Sequence, residues 1–336
     1  MNVLVVKMSS LGDIVHCLPA LTDSASALPT VRFDWVVEEA FADLPELHPA
    51  VRRSIPIALR RWRRQPVRSL LGPEWRQLRQ NLKADRYDAI IDAQGLLKSA
   101  WVASRCRGLR VGMDWRSARE RMSSLAYQHR ISLPGNVHAI DRLRRLFASA
   151  LGYATPSSPA DYGIGQSGWR VTGGADRRLW LIHSSSRRDK LWPEEHWIEL
   201  ARLATDAGFT VQLPWGCQRE RARAERICSA CGRSGGGQVE ILPLMGLADL
   251  SAVLQGVFAA VAVDTGIGHL CAALGVPSVS LYGPTLPERI GTVGAHQAHL
   301  VVAKGETMRS IEAEKVWATL RSQMLRASPA TVAIAG

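Results

Sequence analysis

The stretch that decides the fold is Val263-Asp264-Thr265-Gly266-Ile267-Gly268-His269, which stands between two apolar runs. The run before it, residues 257–263, is short and continuous, and the run after it, residues 270–274, suits a helix. This order of strand, glycine-rich turn and helix is typical of a parallel sheet. A helix that begins at such a turn presents unpaired backbone N–H groups and a partial positive charge, for which phosphate is the usual ligand.

The same alternation of strand and helix runs along most of the chain. Short apolar runs predict strands over residues 3–6, 32–37, 89–93, 111–113, 179–183, 209–213, 257–263 and 276–281. Helical spacing predicts helices over residues 97–106, 138–151, 194–207, 220–231, 247–255 and 309–325. We also expect a helix from about Ile14 that is kinked at Pro19. The fold class is therefore predicted to be α/β, with parallel sheets covered by helices on both faces.

A change in composition predicts two domains. Residues 152–175 are rich in Gly, Ser, Pro and Thr, which indicates a boundary. We predict an N-terminal domain over 1–155, a linker over 156–175 and a C-terminal domain over 176–305. A last helix over 306–326 is expected to pack back on the N-terminal domain, and the tail 327–336 is expected to fray.

The charge of the chain predicts an anionic partner. The formal net charge is +12, and the residues between Arg52 and Arg79 include many arginines but a single acid, Glu74. Nucleic acid, anionic lipid and a phosphorylated substrate all remain open on this ground alone. No apolar run approaches the ~18 residues of a membrane-spanning helix. The first residues read as a strand rather than a signal peptide, so we expect a cytoplasmic protein.

Several kinds of site have no support in the sequence. The pair Cys228 and Cys231 forms a lone CxxC, whereas a zinc site would need two more ligands at suitable spacing. No Asp-x-Asp pair, Walker loop or Gly-x-Ser-x-Gly motif occurs. We therefore expect neither a bound metal nor serine-hydrolase chemistry.

Two loops carry residue types that suit transfer chemistry. Asp13 follows the first strand near the start of a helix, where the helix dipole favours its ionised form, so it could accept a proton or simply cap the helix. Residues 183–190 contain three serines, two arginines and Lys190, which suit a diphosphate, although an ordinary polar loop would look the same. Glu220 could take the hydroxyls of a ribose, and Met245 could pack on a base or in the core.

Seven blocks of sequence, which contain several of these residues, resemble blocks of a known family. They are residues 7–16 (KMSSLGDIVH), 33–39 (FDWVVEE), 60–63 (RRWR), 91–99 (IDAQGLLKS), 112–115 (GMDW), 189–197 (DKLWPEEHW) and 213–216 (LPWG). Together the blocks resemble those of the lipopolysaccharide heptosyltransferases of glycosyltransferase family 9, and in particular the heptosyltransferase I group of the Gram-negative inner core. The resemblance extends from Met1 to about Leu325.

The resemblance implies a GT-B fold, in which two Rossmann-like domains face a cleft. It implies inverting transfer of L-glycero-D-manno-heptose from ADP-heptose to the Kdo of Kdo₂-lipid A, without metal or cofactor. By the matching blocks, Asp13 is the general base and Lys190 acts with it. The donor-binding residues implied are Ser185, Ser186, Lys190, Glu220, Met245, Asp264, Thr265, Gly266 and His269. The acceptor-binding candidates are Ser9, Ser10, Arg60, Arg61, Arg63, Arg64, Gln94 and Lys98.

Small departures and two rival interpretations accompany this resemblance. The family commonly has serine where Gly268 stands and threonines where Ser185 and Ser186 stand. One rival is a sister transferase that adds a later core sugar to an already heptosylated acceptor. The other is a non-catalytic basic protein that binds nucleic acid or anionic lipid with a steep salt dependence. Under the main interpretation we expect no nucleic-acid partner and a peripheral position on the anionic cytoplasmic face of the inner membrane.

Overall fold

The computed structural model describes residues 1–64, 72–165, 177–232 and 237–327. The chain divides into two compact units, Met1–Ile164 and Gly165–Gly336. The division falls inside the linker predicted over 156–175, and the part of that linker from 166 onward lies outside the described residues. The tail from residue 328 onward, predicted to fray, lies outside them as well.

The first unit is built on a parallel sheet with the strand order β3-β2-β1-β4-β5-β6. The strands are β1 (Asn2–Val6), β2 (Arg32–Glu38), β3 (Val51–Ile57), β4 (Arg86–Asp92), β5 (Arg107–Met113) and β6 (His129–Ile131). The helices are α1 (Leu11–Val15), α2 (Leu18–Ala27), α3 (Asp43–Glu46), α4 (Leu59–Trp62), α5 (Pro73–Ala84), α6 (Leu97–Ala103) and α7 (Ala139–Leu151). A 3₁₀ helix covers Arg121–Ala126.

The second unit repeats this plan with the order β12-β11-β10-β7-β8-β9, again all parallel. The strands are β7 (Arg178–Ile182), β8 (Thr210–Leu213), β9 (Val239–Ile241), β10 (Ala259–Val263), β11 (Ser278–Tyr282) and β12 (Gln297–Val301). The helices are α8 (Glu194–Asp206), α9 (Gln218–Cys231), α10 (Leu247–Leu254), α11 (Gly266–Ala273), α12 (Pro287–Ile290) and α13 (Ala313–Ala327).

Both strand orders place a switch point at the middle of the sheet. Chain order reverses between β1 and β4 in the first unit and between β7 and β10 in the second. In open parallel sheets of this kind, ligands bind outside the carboxyl ends of the strands at that point. The loops after these four strands are therefore where a site is expected.

The central strands are buried on both faces. Each residue of β10 and β11 is buried, and the stretch from Val3 to Val6 in β1 is fully inaccessible. Such strands read as continuous apolar runs, which is why the sequence predicts them. In the second unit, Trp192 and Trp197 add an edge-to-face pair, with ring centroids 4.9 Å apart, to the core below α8.

The structure replaces the kinked helix predicted around Pro19 with two helices. The first, α1, ends at Val15, and α2 begins at Leu18 with Pro19 in its first turn. Proline is tolerated there because the N–H that it lacks has no partner within the helix. The break lets the chain turn immediately after the short helix that carries Asp13.

The last helix, α13, belongs to the core of the second unit. Its residues Val316, Leu320 and Met324 are buried in the same cluster as Val279 and Leu281 of β11. The helix also lies against α8, β10 and β12. Its apolar stripe covers one face of the second sheet, and burial of that stripe there explains the packing.

Candidate active site

Asp13 lies in the first turn of α1, the helix that follows β1. The backbone N–H and the hydroxyl of Ser10 each donate to its Oδ2 at 2.9 Å. The capping role that the sequence left open is therefore real. The other carboxylate oxygen, Oδ1, lies 3.7 Å from the ammonium of Lys7.

The surroundings of Asp13 keep its carboxylate ionised. Burial acts to raise the pKa of Asp13, but the charge of Lys7, the two bonds from Ser10 and the charge of Arg119 outweigh it and hold the pKa below its ordinary value. The side chain is still 37% exposed. At neutral pH the group is therefore an ionised carboxylate that solvent can reach.

Asp13 opens into a cavity of about 410 Å³ that the first unit forms by itself. Its lining includes Lys7 and Gln94. The Gln94 side chain accepts the backbone N–H of Met8 at 2.8 Å, and the Lys7 ammonium donates to the carbonyl of Ala93 at 3.1 Å. The end of β4 therefore fixes the residues that follow β1.

A buried carboxylate holds the turn after β4. Asp92 accepts the backbone N–H groups of Gln94 and Gly95 at 2.9 and 3.1 Å and the hydroxyl of Tyr127 at 2.7 Å. Burial raises the pKa of Asp92 despite these bonds. Gly95 has a φ of +65°, a left-handed conformation that glycine adopts without strain, so the predicted Gln94-Gly95 turn is confirmed.

The same cavity contains cations that the sequence analysis missed. Arg119 and Arg142 line it together with His16. The guanidinium of Arg142 donates to the carbonyl of Ser117 at 2.9 Å, while its Nε is buried without a hydrogen-bond partner among the residues that the structure describes. Burial lowers the pKa of Arg142. The available signal was the polar side of the helix predicted over 138–151, but sequence alone could not bring that helix to Asp13.

The arginine-rich segment is more neutralised than its local sequence suggests. Arg61 lies between two carboxylates, Glu39 and Glu74, each 3.0 Å from its Nη2 atom. Arg52 and Arg53 both contact Asp34, which is almost fully buried. Acids from neighbouring strands and loops, outside the segment itself, therefore pair with these arginines.

The basic acceptor candidates are not among the residues that line this cavity. The guanidinium of Arg60 lies 5.3 Å from the ring centroid of Phe41, and Arg63, Arg64 and Lys98 are exposed. Of the eight acceptor candidates, the residues lining the cavity include Gln94 alone. The two serines, Ser9 and Ser10, lie at the surface next to Asp13, half-buried and exposed respectively.

In the second unit, Lys190 forms an ion pair with Asp264. The Lys190 ammonium lies 2.6 Å from Oδ2 of Asp264, and both side chains are largely buried. The hydroxyl of Ser185 donates to the backbone carbonyl of Asp264 at 3.1 Å, whereas Ser186 is exposed. The loops after β7 and β10 are therefore joined beside the switch point of the second sheet.

The glycine-rich turn leads into α11 as predicted. Thr265 precedes the helix, Gly266 is its first residue and His269 is buried. A Cβ at Gly268 would lie 3.2 Å from the Cβ of Ala262 in β10, which is a tight contact. Glycine at this position thus lets the helix approach the strand closely, and a serine there would need a small shift.

Glu220 lies in the first turn of α9, where its carboxylate accepts the backbone N–H of Gly216 at 2.8 Å. It lines a cavity of about 270 Å³ together with Ser185, Arg188 and Arg219. Met245 is half-buried just before α10, so it is not a fully buried core residue. The acid predicted to bind ribose and the serine predicted to bind diphosphate therefore share one cavity.

No group of three or more His, Cys, Asp or Glu side chains that could hold a metal ion occurs among the described residues. Both cysteines of the CxxC are unbridged: Cys228 donates to the carbonyl of Val239, and Cys231 to that of Ile198. Burial raises the pKa of both thiols, which disfavours the reactive thiolate form.

Comparison with known proteins identifies the family. A family model described as glycosyltransferase family 9 (heptosyltransferase) matches residues 75–318. The chain belongs to this family. Lipopolysaccharide heptosyltransferase 1 of Escherichia coli (strain K12) is 46% identical over 299 residues, which cover 88% of this chain and 92% of that protein. Lipopolysaccharide heptosyltransferase 1 of Pseudomonas aeruginosa is 47% identical over 301 residues, covering 89% of this chain and 83% of that protein.

Solved structures agree with this assignment. The Escherichia coli heptosyltransferase WaaC with ADP superposes with a TM-score of 0.89 at 42% identity, covering 96% of this chain and all of that chain. The same enzyme with ADP-2-deoxy-2-fluoro heptose gives a TM-score of 0.84. The predicted α/β, GT-B fold is confirmed, and the chain is a heptosyltransferase of lipopolysaccharide core biosynthesis. The rival of a non-catalytic basic protein is thereby set aside. None of the helices described is long and apolar enough to cross a membrane.

Proposed function

We propose that this heptosyltransferase moves L-glycero-D-manno-heptose from ADP-heptose to the Kdo of Kdo₂-lipid A, with inversion at the anomeric carbon and Asp13 as the general base. The observation that carries the proposal is the state of Asp13, an ionised and reachable carboxylate in a cavity lined by cations. General-base assistance of this kind contributes about 10²–10⁴ in rate.

The acceptor side of the proposal rests on charge. Kdo₂-lipid A carries carboxylates and phosphates, and Lys7, Arg119 and Arg142 around Asp13 suit such groups. Asp13 would remove the proton from the Kdo hydroxyl as its oxygen attacks the anomeric carbon. Because Oδ2 is held by Ser10, the carboxylate is oriented before the substrate arrives, which lowers the cost of reaching the transition state. Arg60, Arg61, Arg63 and Arg64 would contact more distant parts of the acceptor.

The donor side rests on the loops after β7 and β10. Lys190, Ser185, Ser186 and the first turn of α11 would meet the charge that develops on the diphosphate as it leaves. Glu220 would hold the ribose, Met245 would face the adenine, and Asp264, Thr265, Gly266 and His269 would surround the sugar and phosphates. ADP and an ADP-heptose analogue in structures of WaaC support a nucleotide-sugar donor.

The proposal also covers the need for a metal or cofactor and the location of the enzyme in the cell. Lys190 and the N–H groups of α11 supply positive charge to the leaving group, so the reaction needs no metal and no cofactor. The enzyme works peripherally on the cytoplasmic face of the inner membrane, since its acceptor is a lipid with an anionic head.

The test is ADP release by the purified protein given ADP-heptose, with and without deacylated Kdo₂-lipid A. Release should depend on the acceptor, persist in EDTA and give a product carrying one added heptose with inverted anomeric configuration. An acceptor that already carries the first heptose separates the rival sister transferase. Release with that acceptor and none with deacylated Kdo₂-lipid A would overturn the proposed acceptor.

A further inference from the structure

Large apolar side chains are exposed along residues 115–125 of the first unit. The exposed fraction is 45% for Trp115, 54% for Met122 and 59% for Leu125. Met122 and Leu125 lie three residues apart in the 3₁₀ helix Arg121–Ala126, and residues at that spacing share one face. Ser123 and Ser124, between them, are buried, so the helix turns its apolar residues outward.

Leu97 is a fourth exposed apolar residue, and a hydrogen bond connects it to the segment 115–125. Leu97, at the start of α6, is 53% exposed, and its backbone N–H donates to the carboxylate of Glu120 at 2.6 Å. The backbone N–H of Glu120 in turn donates to the carbonyl of Gly95 at 2.9 Å. We call Leu97, Trp115, Met122 and Leu125 the apolar loop surface.

Basic side chains flank this surface. Arg116 and Arg121 are exposed, and neither forms an ion pair within the described ranges. The acids of the same segment are engaged with backbone groups: Asp114 accepts the N–H groups of Arg116 and Ser117, and Glu120 accepts that of Leu97. Exposed Trp and aliphatic side chains next to unpaired arginines are typical of surfaces that enter the headgroup layer of a bilayer.

The segment that carries this surface also forms a wall of the Asp13 cavity. Ser117, Ala118 and Arg119, between Trp115 and Met122, line that cavity. A surface seated at the headgroup layer would therefore bring the cavity wall to the level at which a lipid presents its sugar. A second copy of this chain fits less well, because a symmetric contact would bring Arg116 and Arg121 against their own copies in a protein of net charge +12.

We infer that the apolar loop surface docks this enzyme on an anionic lipid bilayer, with Met122 and Leu125 inserted among the headgroups and Arg116 and Arg121 on their phosphates. The inference rests on the proposed function, in which the acceptor is a lipid. It assigns membrane contact to a surface beside the catalytic cavity rather than to the arginine-rich segment, where Arg61 is held by Glu39 and Glu74.

The experiment measures cosedimentation with vesicles of phosphatidylglycerol and phosphatidylethanolamine. The variant Met122→Ser/Leu125→Ser should lower the vesicle partition coefficient about tenfold, because two inserted side chains lose most of their apolar area. The matched control is Leu286→Ser/Leu325→Ser, since these leucines of the second unit are 59% and 48% exposed. The control should bind vesicles as the wild-type protein does.

A second variant, the salt dependence of binding and light scattering provide further tests of the docking surface. Arg116→Glu/Arg121→Glu should also lose binding, and wild-type binding should weaken as salt rises. The inference is overturned if the wild-type protein does not bind the vesicles, or if Met122→Ser/Leu125→Ser binds as well as the control. Light scattering that shows a wild-type dimer and a monomeric variant would overturn it in favour of self-association.

The assay with deacylated, water-soluble acceptor keeps the two proposals separate. Met122→Ser/Leu125→Ser should release ADP at the wild-type rate there, and should lose activity only when the acceptor is embedded in vesicles. A loss of activity with the soluble acceptor as well would contradict a docking role. If the wild-type protein releases no ADP with the soluble acceptor, the proposed function fails, whereas the vesicle comparison still decides the docking surface.

Discussion

Asp13 in the first unit and Asp264 in the second both lie beside the switch point of a sheet with the same strand order. Asp264 is 7% exposed and lies 2.6 Å from the Lys190 ammonium, whereas Asp13 is 37% exposed and lies 3.7 Å from that of Lys7. One carboxylate is thus buried in a close ion pair, and the other is more distant from its lysine and more exposed. Sheets of the same strand order thus give two carboxylates different surroundings because their loops differ, which agrees with the rule that function lies in sites rather than in folds.

The largest effect is expected from Asp13→Asn. The amide keeps the size of the side chain but cannot take a proton, so turnover should fall by about 10²–10⁴. The control Asp43→Asn changes an exposed acid of the same unit and should leave the rate unaltered. Initial rates of ADP release measure this effect. A rate for Asp13→Asn near that of Asp43→Asn would contradict the role proposed for Asp13 as the general base.

Lys190→Ala should act on binding of the donor. Loss of a charge-assisted contact of about 1.5–3 kcal/mol corresponds to a rise of about 10–100-fold in the Kd for ADP-heptose. The substitution also leaves the carboxylate of Asp264 buried without its ion-pair partner, which lowers stability.

Calorimetric titration and thermal unfolding measure both effects of that change. Lys190→Met/Asp264→Asn, which removes both charges, should recover part of the lost Tm but not the affinity. An unchanged Kd in Lys190→Ala would show that the pair of the second unit is structural only.

Lys7→Met should change the pH dependence of kcat/KM more than the maximal rate of the reaction. The positive charge of Lys7 favours the ionised form of Asp13, so its removal raises the pKa of that carboxyl. Arg119, His16, Cys17 and Arg142 are the other titratable groups around the cavity or beside it, and they are unchanged in this variant.

Because the base is active only when ionised, activity is lost as pH falls through its pKa. The acid limb of kcat/KM should therefore shift to higher pH in Lys7→Met, by about one unit. Lys7→Arg keeps the charge and should keep the wild-type limb. A shift to lower pH, or none, would contradict the role given to Lys7.

The smallest effect is expected from removal of metal. If either carboxylate held a divalent ion in the working enzyme, EDTA would slow the reaction and added Mg²⁺ would restore it. We expect the rate of ADP release to stay the same with EDTA and after addition of Mg²⁺. A loss that Mg²⁺ reverses would give Asp13 or Asp264 a different chemistry from the one proposed.

The sequence predicts the centre of each sheet better than its margins. Each of the eight predicted strands corresponds to an observed strand, whereas β3, β6, β9 and β12 were missed, and these are the edge strands of the two sheets. Edge strands are partly exposed, so they lack continuous apolar runs: β12 reads QAHLV and has no fully buried residue. The pattern that identifies a strand buried on both faces is absent there.

In the site, too, the sequence predicts individual residues better than the contacts between them. Local motifs predicted Asp13, Lys190 and Asp264, because each follows a readable strand. The sequence could not place Arg142 beside Asp13, since 129 positions separate them, nor pair Arg61 with Glu39 across 22 positions. Contacts made by tertiary folding decide which cations are neutralised, and local charge patterns do not report them.

The most direct test of the account is the affinity of Asp13→Asn for ADP-heptose, measured by calorimetric titration on the protein whose turnover has been lost. We predict the wild-type Kd, because the donor contacts proposed here lie in the second unit. A Kd that weakens in step with the rate would contradict the assignment of Asp13 as a base that acts only on the acceptor.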